Sequence, residues 1–148
     1  IQAALDGAAE ISIFNSKDEF YPRAVKNADI INNEIKGINC KATAYDLEDT
    51  ERLKAEIAGS HILTNASGVG MKPLENESVI PDASWLHPEM VVSDVVYIPS
   101  KTKMLQITEA AGCKTINGLG MMLWQGAKAF EIWTGQPMPV EYVKTQLF

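Results

Sequence analysis

Four short stretches hold the residue types that most readily grip a polar ligand. They are Asn15-Ser16-Lys17-Asp18, Asn65-Ala66-Ser67-Gly68-Val69-Gly70, Val95-Val96-Tyr97 and Asn117-Gly118-Leu119-Gly120. The first sets a carboxylate, Asp18, beside an ammonium, Lys17. Such a carboxylate accepts hydrogen bonds from sugar hydroxyls and repels a phosphate on the same sugar; the lysine blunts that repulsion. The same aspartate also suits the N-cap of a following helix, with Glu19 favourable to the helix dipole. In the second stretch, Gly68 and Gly70 permit close backbone approach to a ligand, or form an ordinary turn. Lys72, just beyond, suits a phosphate or substrate contact as well as plain solvation. Asp94 stands inside an apolar run, where a buried carboxylate needs hydrogen-bonded partners. A structural role and a role near a site are equally open to it. In the last stretch, Gly118 and Gly120 open an apolar segment carrying Met121, Met122 and Trp124 with one amide, Gln125. That amide offers both a donor and an acceptor to a polyhydroxy ligand, while the methionines suit a core as readily as a pocket.

The elements that must position these residues follow from periodicity. Ile1, Ala4 and Leu5 have helical spacing, with Gly7 as a C-cap. Glu10–Asn15 reads as a short β-branched strand. A helix is expected over 18–35, with Pro22 in its first turn and Gly37 ending it. Strand 40–45, helix 47–58 closed by Gly59, and strand 61–65 follow. Residues 66–88 are rich in Gly and Pro and read as a long loop. Strand 90–97, helix 102–111, strand 114–116, and helices 119–134 and 139–147 complete the chain. Strands alternating with helices imply parallel strands with crossover helices, an α/β open sheet. In such sheets ligands bind outside the carboxyl ends of the strands, where the four polar stretches fall. A dinucleotide fold has a Gly-rich turn after its first strand, then a helix, then a second strand ending in a charged residue. That residue chooses between a ribose hydroxyl and a ribose phosphate. Glycines lying just ahead of Ile1 would place Asp18 about 20 residues beyond them, as that arrangement requires.

Composition narrows the class. The chain has 148 residues, the size of one ordinary domain. It is 46% hydrophobic and 22% charged, enough apolar material for a sizeable core. A net charge of −6 supplies no basic face to neutralise phosphates, so a nucleic-acid partner is not expected. No apolar run approaches the roughly 18 residues of a membrane span, and no signal-peptide pattern is visible. Cys40, Cys113, His61 and His87 lack metal-ligand spacing, so no metal site is expected. The chain opens on Ile1 inside a helical pattern with no N-cap, which points to truncation of a longer protein.

The strings TNASGVGMKPL, SDVVYIPSKTKML, AGCKTINGLGMMLWQGAKAFEIWTG and FNSKDEF resemble shikimate dehydrogenases, and within them the quinate/shikimate branch that can use NAD. The resemblance runs across essentially the whole chain, with its motifs in order. It implies a Rossmann-like, three-layer parallel sheet lacking its first strand and Gly-rich loop. It identifies residues 1–148 as one dinucleotide-binding domain of a two-domain enzyme. The implied reaction is nicotinamide-dependent interconversion of shikimate and 3-dehydroshikimate, and of quinate and 3-dehydroquinate in the broader branch. Carried over residue by residue, Asn15, Ser16, Lys17 and Asp18 would bind the adenosine ribose, and Asn65, Ala66 and Ser67 would line the cofactor cleft. Val95, Val96, Tyr97 and Gly118 would flank the nicotinamide, Met121 would pack near it, and Gln125 would hydrogen-bond the substrate's hydroxyls. The NADP-specific branch shows Asn-Arg-Thr and a further arginine where this chain has Asn15, Ser16, Lys17 and Asp18, which favours NAD over NADP. The family's catalytic lysine and aspartate lie in an amino-terminal domain, so no catalytic residue is expected here.

The intact protein is thus expected to be a cytoplasmic oxidoreductase acting on shikimate or quinate, with a homodimer as one arrangement. A nucleotide-binding or regulatory module without chemistry is the competing reading. A receiver-like or flavodoxin-like domain would need an acidic cluster or phosphate loop at the strand ends, and neither is evident.

Overall fold

The structure is a computed structural model and describes residues 1–147. It divides into two compact units, Ile1–Gly59 and the residues from Ser60 onward. In both, helices join parallel strands, the architecture expected from the alternation of elements.

The first unit contains α1 (Gln2–Leu5), β1 (Glu10–Asn15), α2 (Tyr21–Asp29), β2 (Lys41–Asp46) and α3 (Thr50–Ala58). One π turn, Ile30–Glu34, prolongs α2. Strands β1 and β2 run parallel, from Glu10 opposite Lys41 to Asn15 opposite Asp46. The register therefore sets Asn15 and Asp46 side by side at the carboxyl ends. Ala4, Ala28, Ile31 and Ala42 are buried together, with Ile11, Ile13 and Ile35 packed on them. The Asn32 amide donates to the Ala42 carbonyl at 2.8 Å and accepts from the Ala42 N–H at 2.9 Å. It thereby occupies backbone groups of β2 that a further strand would use. Helix α2 starts at Tyr21, later than periodicity suggests. Ahead of it, Asp18 Oδ1 accepts from the Phe20 N–H at 2.8 Å, so this aspartate closes a turn before the helix and is not its N-cap. Helix α3 starts after its N-cap Asp49, whose carboxylate accepts from the Arg52 N–H at 3.0 Å.

The second unit contains β3 (Ile62–Asn65), β4 (Val91–Asp94), α4 (Lys103–Ala110), β5 (Lys114–Ile116), α5 (Leu119–Thr134) and α6 (Val140–Leu147). Its sheet has the order β3-β4-β5, all parallel. Between β3 and β4 the chain is irregular except for one 3-10 turn, Ala83–Trp85. Ile80, Trp85 and Met90 are buried and tie this stretch down. Strand β4 stops at Asp94, short of the expected Tyr97, because the Asp94 carboxylate accepts the Val96 N–H at 2.9 Å and takes it out of the ladder. Helix α5 is apolar, yet only Leu123 is buried on it; Trp124, Ile132 and Trp133 are exposed. Among the described residues β1 pairs with β2 alone and β3 with β4 alone. No helix of the described residues is long and apolar enough to cross a membrane, and no group of three or more His, Cys, Asp or Glu there could hold a metal ion.

Candidate functional site

In the first unit, the polar cluster forms where β1 and β2 end together. Asn15 Nδ2 donates to the Ser16 carbonyl at 2.9 Å and to Asp18 Oδ1 at 3.4 Å. These bonds hold residues 15–18 in a tight turn and leave the second oxygen of exposed Asp18 free of any hydrogen bond among the described residues. Lys17 Nζ lies 3.4 Å from Asp46 Oδ2. Its side chain stays 64% exposed, so the pair is worth little to stability; its consequence is local charge. Asp46 is a functional candidate that the strand-end reading did not single out. The signal was available: a parallel neighbour to β1 must end beside Asn15, and its last residue is acidic. Tyr45 stacks on Phe14 with ring centroids 5.1 Å apart, and the Arg52 guanidinium lies 5.5 Å from the Tyr45 ring. The turn thus carries the carboxylates of Asp18 and Asp46 against one lysine, Lys17, which is paired with Asp46; such a turn suits hydrogen bonds from hydroxyls better than an added anion.

In the second unit, the other three stretches come together around Asp94. The carboxylate is 2% exposed. Its Oδ1 accepts from Asn65 Nδ2 at 3.0 Å as well as from the Val96 N–H, and its Oδ2 accepts from Thr102 Oγ1 at 2.7 Å. Asn65, also buried, folds the following loop back on itself. Its Nδ2 donates to the Val69 carbonyl at 2.9 Å, and its Oδ1 accepts from Ser67 Oγ at 2.6 Å and from the Ser67 N–H at 3.1 Å. Gly70, at φ +101°, then approaches Thr102 so closely that a Cβ would sit 2.9 Å from the threonine methyl. Glycine is required there by conformation and by contact.

The turn after β5 meets the same place. A Cβ on Gly118 would lie 2.2 Å from the Val95 carbonyl oxygen, and the Gly118 N–H donates to the Val96 carbonyl at 3.1 Å. Asn117 Oδ1 accepts from the Leu119 N–H at 3.2 Å, which fixes the start of α5. Tyr97, Met121 and Gln125 are exposed, and Met121 and Gln125 stand one turn apart on the same side of α5. Ala66 and Ser67 are exposed as well, while Val96 is buried. Lys72 is exposed in the long loop and has no ion pair among the described residues. Burial pushes the Cys113 thiol up from its ordinary value, and its Sγ donates to the His87 carbonyl at 3.3 Å. It is an inert core thiol rather than a nucleophile. Asp94 has its oxygens engaged and cannot reach a ligand. The polar groups left at the surface of these turns are backbone, amide and hydroxyl groups.

A family model described as the Shikimate 5'-dehydrogenase C-terminal domain matches residues 118–148, beginning at the Gly118 turn. Along all of its length the chain is 62% identical to a shikimate dehydrogenase (NADP(+)) of Listeria innocua, of which it covers 50%. Among solved structures, shikimate 5-dehydrogenase from Listeria monocytogenes in complex with shikimate and NAD matches with a TM-score of 0.90 and 60% identity. That match covers 99% of this chain and 50% of that one. Quinate dehydrogenase from Corynebacterium glutamicum in complex with NAD matches with a TM-score of 0.72 and 25% identity, over 95% of this chain and 56% of that one. The chain spans about half the length of the curated relatives it matches. Parallel α/β elements, the strand-end turns and identity along all 148 residues converge: the chain belongs to the shikimate dehydrogenase family.

Proposed function

We propose that this chain is the cofactor-binding half of a cytoplasmic oxidoreductase that interconverts shikimate and 3-dehydroshikimate, or quinate and 3-dehydroquinate. Residues 1–148 are read as one dinucleotide-binding domain. The observation that carries the reading is the convergence of residues 65–70, 95–97 and 117–120 through Asp94 and Gly118. The strand ends of an open α/β sheet are where such a ligand binds. The chemistry that a bound nicotinamide would supply there is acceptance of a hydride from, or its return to, the carbon that carries the substrate's hydroxyl. Tyr97, Val95 and Gly118 would flank that ring with the backbone at Val96, whose side chain is buried; Met121 would pack near it, and Ala66 and Ser67 would line the approach, held in place by buried Asn65. Gln125 donates to and accepts from the substrate's hydroxyls. No residue of this chain moves the substrate proton; that acid–base pair belongs to the other half.

Asn15, Ser16, Lys17 and Asp18 hold the adenosine ribose. The second oxygen of Asp18 fits a ribose hydroxyl, and Lys17 is already paired with Asp46, so a 2′-phosphate would meet the Asp18 carboxylate beside a lysine whose charge is shared, with the Arg23 guanidinium over the Phe20 ring as the cation left nearby. That charge balance favours NAD. The Listeria innocua relative is named for NADP(+), and the Listeria monocytogenes structure carries NAD, so preference has to be measured on this protein. The test is steady-state turnover by the intact protein, with shikimate and quinate as substrates and NAD and NADP as cofactors. Dinucleotide reduction dependent on either substrate supports the reading. Dinucleotide binding in calorimetry with no turnover of either would instead make this a non-catalytic nucleotide-binding module.

A further inference from the structure

Asp94 is buried and ionisable, and all the donors that reach it are neutral: one carboxamide, one backbone N–H and one hydroxyl. Such a group is expensive to desolvate, and a packed apolar residue would serve stability as well. What the carboxylate achieves is geometric. It fixes three segments at once: the loop after β3 through Asn65, the exit of β4 through Val96, and the start of α4 through Thr102. Thr102 is fully buried and itself accepts from the Leu105 N–H at 3.3 Å, so one hydroxyl links the carboxylate to the α4 N-cap. Its methyl supports Gly70 from the other side. The Val95–Val96 backbone is held between this network and Gly118. No ligand could touch the Asp94 carboxylate, yet residues 65–67 and 95–97 take their positions from it.

We propose that Asp94, acting with Thr102, is the positioning residue for the nicotinamide end of the cofactor site. The inference rests on the functional reading above. The Asp94–Thr102 pair holds the backbone of residues 95–97 and the loop of residues 65–67 at the spacing that admits the ring. Loosening it penalises the dinucleotide and leaves the substrate's own contacts, which lie on Gln125 and in the other half of the protein, largely as they were.

The test uses the intact enzyme with Thr102→Val, which keeps the shape and removes the hydroxyl, Thr102→Ser, which keeps the hydroxyl, and Asp94→Asn. Kinetics are read well below each variant's melting temperature. Thr102→Val is expected to raise KM for the dinucleotide about tenfold or more, the effect of losing a hydrogen bond to a charged group. KM for shikimate should stay within about twofold, and Thr102→Ser should recover most of the loss. Asp94→Asn should shift the same parameter in the same direction. A lower melting temperature with both KM values and kcat unchanged would make the network purely structural and overturn the proposal. So would an equal rise in both KM values. If Asp94→Asn fails to fold, Thr102→Val, which loses only one of the carboxylate's three bonds, decides the matter. Wild-type protein that binds dinucleotide without oxidising shikimate would defeat the functional reading alone, and the variants are then read by calorimetric dinucleotide affinity. Wild-type protein that binds no dinucleotide defeats both.

Discussion

At the scale of single residues, the charge around Asp18 has the clearest consequence. The carboxylate closes the turn before α2 and keeps one oxygen outward, while Lys17 is shared with Asp46. On the proposed reading, Asp18→Ser would remove a charge that repels a 2′-phosphate while keeping a short polar group in the turn. In the intact enzyme kcat/KM with NADP should rise, and kcat/KM with NAD should fall. Unchanged kinetics with both cofactors would reduce Asp18 to a turn residue. Gln125 carries a separate expectation. On the proposed reading, truncating it to Ala would leave a substrate hydroxyl without its partner, so kcat/KM for shikimate should fall by about 1–3 kcal/mol of transition-state stabilisation. The melting temperature should hardly move, because the side chain is exposed. A strand-end reading of the sequence singles out Asp18, Asn65 and Gln125 because each lies at or just beyond a recognisable turn. It passed over Asp46 because that residue matters only once β2 is laid beside β1. It left Asp94 open between two roles because which donors face a carboxylate is a tertiary fact.

At the scale of elements, the alternation of strands and helices was legible throughout, and the misjudged boundaries have identifiable causes. Side-chain hydrogen bonding to backbone competes with regular structure near element ends. Asp18 claims the Phe20 N–H and delays α2; Asp46 claims the Glu48 N–H at 3.0 Å ahead of α3; Asp94 claims the Val96 N–H and stops β4. Each is an aspartate beside a strand end, where the chain turns. The contact between the Gly118 turn and β4 was not legible, since nothing local marks a glycine that meets a backbone far away in sequence. Its φ is −74°, which any residue adopts, so the requirement for glycine is contact alone. Gly118→Ala must push the start of α5 away from Val95, at a cost of about 1–3 kcal/mol from overpacking. Because the same shift opens the surface beside residues 95–97, dinucleotide affinity should fall along with the melting temperature. An alanine variant that matches wild type in both would show that this approach is looser than described.

At the scale of the whole molecule, the sheet edges are unequal. The Asn32 amide engages backbone groups of β2, so that strand is covered on one side and paired on the other. Strands β1 and β3 each have one neighbour and no such cover among the described residues. Parallel strands are ordinarily buried between neighbours, and open edges of this kind recruit other chains. We therefore expect the 148 residues, expressed alone, to associate or to melt without a sharp transition, and to bind dinucleotide poorly. A cooperative monomeric melt together with calorimetric dinucleotide binding would show that β1 and β3 need no further partner. On the proposed function, these strand ends hold a nicotinamide for hydride exchange with a ring hydroxyl carbon. The most direct measurement follows deuterium in the intact protein, from shikimate labelled at the carbon that is oxidised. The label is expected on the nicotinamide ring, with slower transfer in Gln125→Ala. Shikimate and dinucleotide both bound, with no label passing between them, would contradict the proposed function.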